Sequence, residues 1–240
     1  MRVAVVTGAS SGIGAALCRV LSGRGWHVVG LSRSPATEAD EYEPCDVGDR
    51  SSVEEVAARV LDRHLRVDLL VNNAGIAGRT DFVDADPETV EALITTNYLG
   101  SVWTLRAFEP GLGRGSHLVN VISVSGLIAI GPYSASKHAQ LAFSRSVAVE
   151  LAPRGIAVHT VCPGFVETPG FPQHTRFRGA SYRLVATPEL IAERIVQAVE
   201  HDRREIVVPR WYLPAVWLQA LVPGFFARGR ARVGPRGASP

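Results

Sequence analysis

Along this 240-residue chain, apolar runs of strand length alternate with amphipathic stretches of helix length. Val3-Ala4-Val5-Val6 and Val67-Asp68-Leu69-Leu70-Val71 are near-continuous apolar runs. Such runs mark strands covered on both faces, as in a parallel sheet. They predict strands near 2–7, 26–31, 67–71, 117–122, 156–161 and 205–208. Helical periodicity predicts helices over 12–24, 50–65, 87–107, 133–152 and 188–201. Asp86-Pro87-Glu88 and Thr187-Pro188-Glu189 have the form of helix starts, a capping side chain followed by proline in the first turn. The short polar segment 34–46 is expected to be a loop where a helix would otherwise stand. The alternation predicts an α/β fold, a single-domain doubly wound parallel sheet with helices on both faces. Residues 1–210 form its body, 211–228 an apolar extension, and 229–240 a Gly/Arg/Pro-rich tail expected to be disordered.

Composition narrows the classes. With 46% apolar and 20% charged residues the chain is globular, and a net charge of +2 makes no case for nucleic-acid binding. The basic charge belongs to the tail: no acid follows Glu205, and five arginines do. Cys18, Cys45 and Cys162 lack CxxC spacing, which argues against disulfides and a cysteine zinc site and for a reducing, cytoplasmic setting. The N-terminal apolar run is too short for a signal peptide. The apolar stretch 211–227 is interrupted by Pro214 and Pro223 and is too short to span a bilayer. Capping a pocket or packing between subunits is favoured for it over peripheral membrane contact by 211–236. One further number matters: 24 arginines stand against a single lysine, Lys137.

Gly8, Gly12 and Gly14 follow the first strand and open the first helix. Glycines there let the backbone turn sharply and approach a pyrophosphate at a helix N-terminus. A Walker A loop is excluded, because Ile13 and Gly14 stand where Gly and Lys are required. Gly8-Ala9-Ser10-Ser11-Gly12 matches a G-x-S-x-G nucleophile elbow, but that motif follows several strands and here only one precedes it. After the second strand, Ser32-Arg33 replaces the acid that would hold the ribose hydroxyls of NAD(H). Arg33 can pair a 2′-phosphate, so NADP(H) is expected over NAD(H); a solvated surface arginine is the plainer alternative.

Tyr133 and Lys137 are four apart at the start of a helix and share a face. A phenol of pKa ~10 is a poor proton donor and acceptor at neutral pH. An ammonium about 5 Å away at an effective dielectric of ~20 would lower that by about two units. A compact ammonium can also reach ribose hydroxyls beside the phenol, which gives the lone lysine a purpose. Ser123 ends the apolar strand before it, at the edge where such sheets bind ligands, and Asn72-Asn73-Ala74-Gly75 ends another at the same edge. Asn97 lies inside the helix 87–107, either buried or facing solvent.

Together these residues resemble the short-chain dehydrogenase/reductase family over about residues 2–209: TGASSGIG at 7–14, Asp46-Val47, NNAG at 72–75, Asn97, Ser123, YSASK at 133–137 and Pro163-Gly164-Phe165-Val166-Glu167-Thr168. The resemblance implies a Rossmann-like sheet, a nicotinamide coenzyme and hydride transfer between an alcohol and a carbonyl. It implies a tetrad of Asn97, Ser123, Tyr133 and Lys137. In it Ser123 orients the substrate oxygen, Tyr133 exchanges the proton, Lys137 lowers the phenol pKa and holds the ribose, and Asn97 supports a water-linked proton path. It implies cofactor contacts at Gly8, Ser10, Ser11, Gly12, Ile13, Gly14, Arg33, Asp46, Val47, Asn73, Ala74, Gly75, Pro163, Gly164, Val166 and Thr168, besides Tyr133 and Lys137. Homodimers or homotetramers are implied as well.

Ser123 and Tyr133 are ten apart, which trims the loop that usually walls the substrate pocket. The segment 169–187 is short and carries His174, Arg176, Arg178 and Arg183, a surface set that could also meet an anionic or thioester-linked substrate. The expected activity is NADP(H)-dependent interconversion of a ketone or aldehyde and an alcohol on a moderately apolar small molecule. The rivals are a nicotinamide-binding redox sensor and, more remotely, a Ser10 hydrolase. No resident metal is expected.

Overall fold

The computed structural model describes residues 1–78, 81–128, 131–174, 177 and 179–224. Its centre is one sheet of seven strands: β1 (Arg2–Thr7), β2 (Trp26–Ser32), β3 (Glu41–Pro44), β4 (Leu69–Asn72), β5 (His117–Val121), β6 (Ala157–Pro163) and β7 (Glu205–Val208). All pairs are parallel, in the order β3-β2-β1-β4-β5-β6-β7. The order reverses direction between β1 and β4, which leaves a crevice at their carboxyl ends, the position where such sheets take ligands.

Successive side chains on a strand alternate between faces, so each strand feeds two cores. Ala4, Val6, Val28, Val71 and Val121 pack under α1 (Gly12–Ser22) and α6 (Pro188–Glu200), through Leu17, Leu21, Ile191 and Ile195. Val3, Val5, Val29, Leu70 and Leu118 face the other way. They meet α2 (Arg50–His64), α4 (Gly100–Phe108) and α5 (Gly131–Leu151), through Val56, Val60, Phe108 and Val147. Asp49 caps α2 by accepting from Ser51 N at 2.9 Å, and Thr187 caps α6 by accepting from Leu190 N at 3.2 Å.

Two expectations are corrected. The segment read as a loop contains β3, whose residues 41–44 pair with 29–32 of β2. Its sequence, EYEP, is polar because it is an edge strand. Glu43 is its one buried residue, and Arg59 and Arg63 of α2 neutralise it at 2.9 and 2.6 Å. The helix expected over 87–107 is interrupted. α3 (Pro87–Ile94) passes into a π-helical turn, Thr95–Leu99, before α4 begins. A π turn inserts one residue into the helical ladder and so re-aims the side chains around it. Here it contains Asn97, which is fully buried.

After β7 the chain forms a short 3-10 turn, Arg210–Tyr212, and α7 (Leu213–Leu221). Tyr212 lies on the loop after β6: its ring fills the space beside Gly164, and its hydroxyl accepts from Phe165 N at 3.4 Å. Trp217 and Leu221 of α7 are exposed. Among the described residues no helix is long and apolar enough to cross a membrane. Arg176, Arg178 and the stretch 225–240, with most of the basic tail, lie outside the described residues.

At the amino edge of the sheet, His159 of β6 stacks on His117 of β5, with Nε2 of His159 2.9 Å from Nδ1 of His117. His159 Nδ1 is 2.9 Å from the Arg203 carbonyl, so it carries the proton there, and its Nε2 accepts from His117. Burial, first, and the neighbouring imidazole push the His117 pKa below 6.5, and burial does the same for His159. The unfolded chain therefore binds more protons than the folded one just below pH 6.5, and stability is lost as the pH is lowered through that window. Glu41, Glu43 and Asp68 carry lowered pKa values: burial alone would raise them, and their hydrogen bonds and ion pairs outweigh it. Their contribution is lost only at more acid pH, below the usual carboxylate value near 4.5. The urea midpoint is expected to drop first as the pH is lowered below 6.5. A His117→Asn/His159→Gln variant should show a shallower drop there; parallel curves would contradict the assignment.

Candidate functional site

The turn after β1 is built on Thr7. Its hydroxyl donates to the Val71 carbonyl at 3.1 Å and accepts from Asn73 N and Ala74 N, both at 3.0 Å. Asn73 Nδ2 donates back to the Thr7 carbonyl at 2.9 Å and lies 3.3 Å from that of Gly8. The carboxyl ends of β1 and β4 are thus stitched together across the crevice. Gly8 has φ +66°, open to glycine at little cost, and a Cβ on Gly14 would strike the Gly8 carbonyl and lie 2.7 Å from Asn73 Nδ2. The N-terminus of α1 has no side-chain cap from Ser11 and no acid in its first turn. Its N–H groups and dipole are therefore free for an anion. These features fit the pyrophosphate of a dinucleotide.

The other candidate contacts end neighbouring strands at the same edge. Ile13 packs its side chain partly into the core. Thr168, after β6, sits over Gly12 with its methyl 3.0 Å from where a Cβ would stand. Val166 is buried and bridges to Ala186, and Pro163 and Gly164 close β6. Arg33, after β2, is 72% exposed, with Nη1 4.0 Å from Asp46 Oδ2. Ser32 is not available beside it, because its hydroxyl donates to the Ser34 carbonyl at 2.6 Å. Asp46 Oδ1 accepts from Gly48 N at 2.8 Å, and Val47 packs against Gly100 at the start of α4.

The chemical residues gather beside the crevice. Tyr133 lies beside the Ser123 side chain, which lowers the phenol's pKa against the larger effect of burial. The shortened loop keeps them together through α5 itself: Ser134 Oγ contacts the carbonyls of Ser125 and Ile128, and Gly126 packs on the Lys137 carbonyl. Ser123 Oγ also accepts from Ser125 N at 3.1 Å. Asn97 is a bracket: Oδ1 accepts from Ile76 N at 2.8 Å, and Nδ2 donates to the Ile76 carbonyl at 3.1 Å and to Ser136 Oγ at 3.0 Å. It ties the loop after β4 to the first turn of α5. The solvent-facing alternative for Asn97 is thereby excluded.

Lys137 is 4% exposed. Its Nζ donates to Gln140 Oε1 at 2.8 Å and to the Val121 carbonyl at 3.3 Å. A Cβ on Gly75 would come within 3.5 Å of that nitrogen, so glycine leaves the approach open. Gln140 Nε2 donates to Ser101 Oγ at 2.8 Å, and Ser101 Oγ donates to the Asn97 carbonyl at 3.3 Å. A buried chain of polar groups therefore runs Lys137–Gln140–Ser101–Asn97. Spacing alone did not expose Gln140 and Ser101, although Gln140 stands one helical turn beyond Lys137, which is a usable signal.

The expected acidification of the phenol is not what this geometry produces. Burial pushes the Tyr133 pKa up to about 12, opposed only in part by the Ser123 hydrogen bond. Burial likewise pulls the Lys137 pKa down to about 8. Spacing placed the two on one helical face, but the ammonium turns to Gln140 and the Val121 carbonyl rather than to the phenol. At neutral pH the phenol thus keeps its proton and the lysine its charge. Glu167 holds the segment after β6, accepting from Gln173 N at 2.8 Å and from Tyr182 Oη at 3.2 Å. His174 stands 3.3 Å from Glu167 Oε1.

Known proteins share this architecture. The family model described as short chain dehydrogenase matches residues 2–178. A Streptomyces virginiae protein provisionally named as a ketoacyl reductase of the monensin polyketide synthase is 40% identical over 191 residues, covering 70% of this chain and 72% of its own. The dehydrogenase/reductase SDR family member 7B of Xenopus laevis is 31% identical over 272 residues, 98% of this chain and 84% of its own. Among solved structures, an actinorhodin polyketide ketoreductase with NADPH superposes with a TM-score of 0.76 at 28% identity, over 86% of this chain and 95% of that one. The chain belongs to the short-chain dehydrogenase/reductase family of oxidoreductases.

Proposed function

We propose that the protein is an NADP(H)-dependent oxidoreductase that interconverts a ketone or aldehyde and an alcohol, working in the reductive direction at neutral pH. The observation that carries this reading is the protonated Tyr133 phenol beside the Ser123 side chain, with the buried Lys137 one helical turn further along α5. When bound, a nicotinamide coenzyme supplies the hydride. Gly8, Ser10, Ser11, Gly12, Ile13 and Gly14 would hold its pyrophosphate, and Asn73, Ala74 and Gly75 would line its ribose and ring. Asp46 and Val47 would flank its adenine, and Pro163, Gly164, Val166 and Thr168 would meet its nicotinamide side. The structural neighbour with NADPH supports the choice of coenzyme, and Arg33 supports the phosphorylated form.

This chain's own groups do the rest. In this reading Ser123 would polarise a substrate oxygen and the Tyr133 phenol would protonate it. Lys137 holds positive charge next to the developing phenolate, and Asn97, Gln140 and Ser101 fix its position. Ketones carried on acyl chains are the first class to test, because two matched Streptomyces relatives are provisionally named ketoacyl reductases. In this reading residues 1–210 are the catalytic body, and the start of the apolar extension caps it through Tyr212 on Gly164. The rival with a specific feature in its favour is a redox sensor, favoured by the trimmed loop between Ser123 and Tyr133.

Turnover of NADPH across a ketone and aldehyde panel that includes a 3-ketoacyl thioester decides between them. Tyr133→Phe should lower kcat by roughly 10²–10⁴-fold while NADPH still binds. NADPH binding with no turnover on any carbonyl would favour the sensor, and equal rates for parent and variant would exclude Tyr133 as donor. In the same assay Arg33→Asp should shift preference toward NADH; unchanged selectivity would remove Arg33 from the site. Gln140→Leu should destabilise the fold by about 1–3 kcal/mol, because it leaves the Lys137 ammonium with one carbonyl partner. An unchanged urea midpoint would show that Gln140 does not hold the lysine.

A further inference from the structure

His27 is the second residue of β2, Glu41 the first of β3 and His64 the last of α2. The strand register explains why they meet. Glu41 pairs with Val29, and His27 precedes Val29 by two, so both project to the face that α2 covers. The C-terminus of α2 brings His64 down onto the same spot. His27 Nε2 is 2.7 Å and His64 Nε2 3.0 Å from one oxygen, Glu41 Oε1. The three ligand-type atoms all lie within 4.8 Å of one another, and the side chains are 20%, 29% and 11% exposed for His27, Glu41 and His64.

From this geometry we propose that His27, Glu41 and His64 form a binding site for one divalent transition-metal ion of the zinc type. Two imidazole nitrogens and a carboxylate are the donor set of three-ligand zinc sites, with a fourth position left to water. Zinc–nitrogen bonds of about 2.0–2.1 Å in a tetrahedron require donors about 3.3 Å apart, so side-chain shifts of an ångström or so would close the site. Each imidazole would carry its proton on Nδ1 and present Nε2 to the metal. Arg63 lies 3.3 Å from the other Glu41 oxygen and would orient the carboxylate from outside. Arg59 and Arg63 neutralise Glu43, and on Glu41 it is Oε1, the oxygen between the two imidazoles, that would meet the cation.

The site stands at the amino edge of β2 and β3, opposite the edge that carries Tyr133 and Lys137. Its effect would be mechanical. The ion would join the edge strand β3 to β2 and α2, and β3 leads directly into Cys45, Asp46 and Val47. Nothing in this inference depends on the coenzyme or on the proposed reaction.

The test uses the full-length protein freed of metal by chelator and titrated with Zn²⁺ alone. Calorimetry should find one saturable equivalent, and Co²⁺ in its place should give the visible absorption of a four-coordinate site. Zn²⁺ should also raise the melting temperature. His27→Gln/His64→Gln keeps side-chain amides that can donate to Glu41, so the fold is expected to survive, as circular dichroism will check. That variant should lose the equivalent or weaken it by at least roughly tenfold, whereas His174→Ala should leave it intact. Absence of a saturable equivalent, or equal binding by parent and double variant, would overturn the proposal.

Discussion

The site depends on one buried charge. Lys137 is almost out of contact with water, and an ammonium moved there loses much of its hydration. What keeps it charged near neutrality is a small set of oxygen acceptors, chiefly Gln140 Oε1 and the Val121 carbonyl at the end of β5. Each acceptor is fixed by something further out. Gln140 is held by Ser101, and Ser101 by the carbonyl of Asn97. Asn97 sits where it does because the helix widens into a π turn. Tyr133 then follows, because α5 carries both residues and the short loop from Ser123 is fastened to that helix.

The sheet divides its labour between two edges. The carboxyl edge collects backbone turns, small residues and hydroxyls, which suits the proposed chemistry, since a coenzyme and a carbonyl would need close approach and directed protons. The amino edge collects imidazoles, with His117 on His159 at one place and His27 with His64 around Glu41 at another. These imidazoles lie far from the crevice and bear on stability. β3 connects the two edges: its first residue belongs to the histidine cluster, and the residues after it lead to Asp46.

Much of this was legible in the sequence because its cause is local. Val3 to Val6 and Leu69 to Val71 had to be strands covered on two sides, and the glycines after Thr7 had to mark a turn. The uniqueness of Lys137 pointed to a place where arginine would not serve, and a slot this enclosed is such a place. Other features were hidden for physical reasons. β3 escaped detection because an edge strand neutralised by arginines from α2 does not look apolar. The break at Asn97 escaped because one inserted residue barely disturbs a helical period. The direction of the Lys137 ammonium could not follow from spacing, which fixes a helical face and not the partner chosen there. The expected fall in the Tyr133 pKa failed for the same reason, and burial raised it instead. His27, Glu41 and His64 are 14 and 23 residues apart and form no motif; only strand pairing brings them together.

Because the chain contains a single lysine, ε-¹⁵N-lysine labelling gives one side-chain resonance, and its pH titration reads the buried charge directly. The midpoint is expected near 8 in the coenzyme-free protein, displaced by desolvation from the ordinary 10.5, and Gln140→Leu is part of the same test. That substitution should move the midpoint lower still, as a favourable oxygen contact is lost. A midpoint at the ordinary lysine value, unmoved by the substitution, would mean that the ammonium is solvated and that the site is not organised around it.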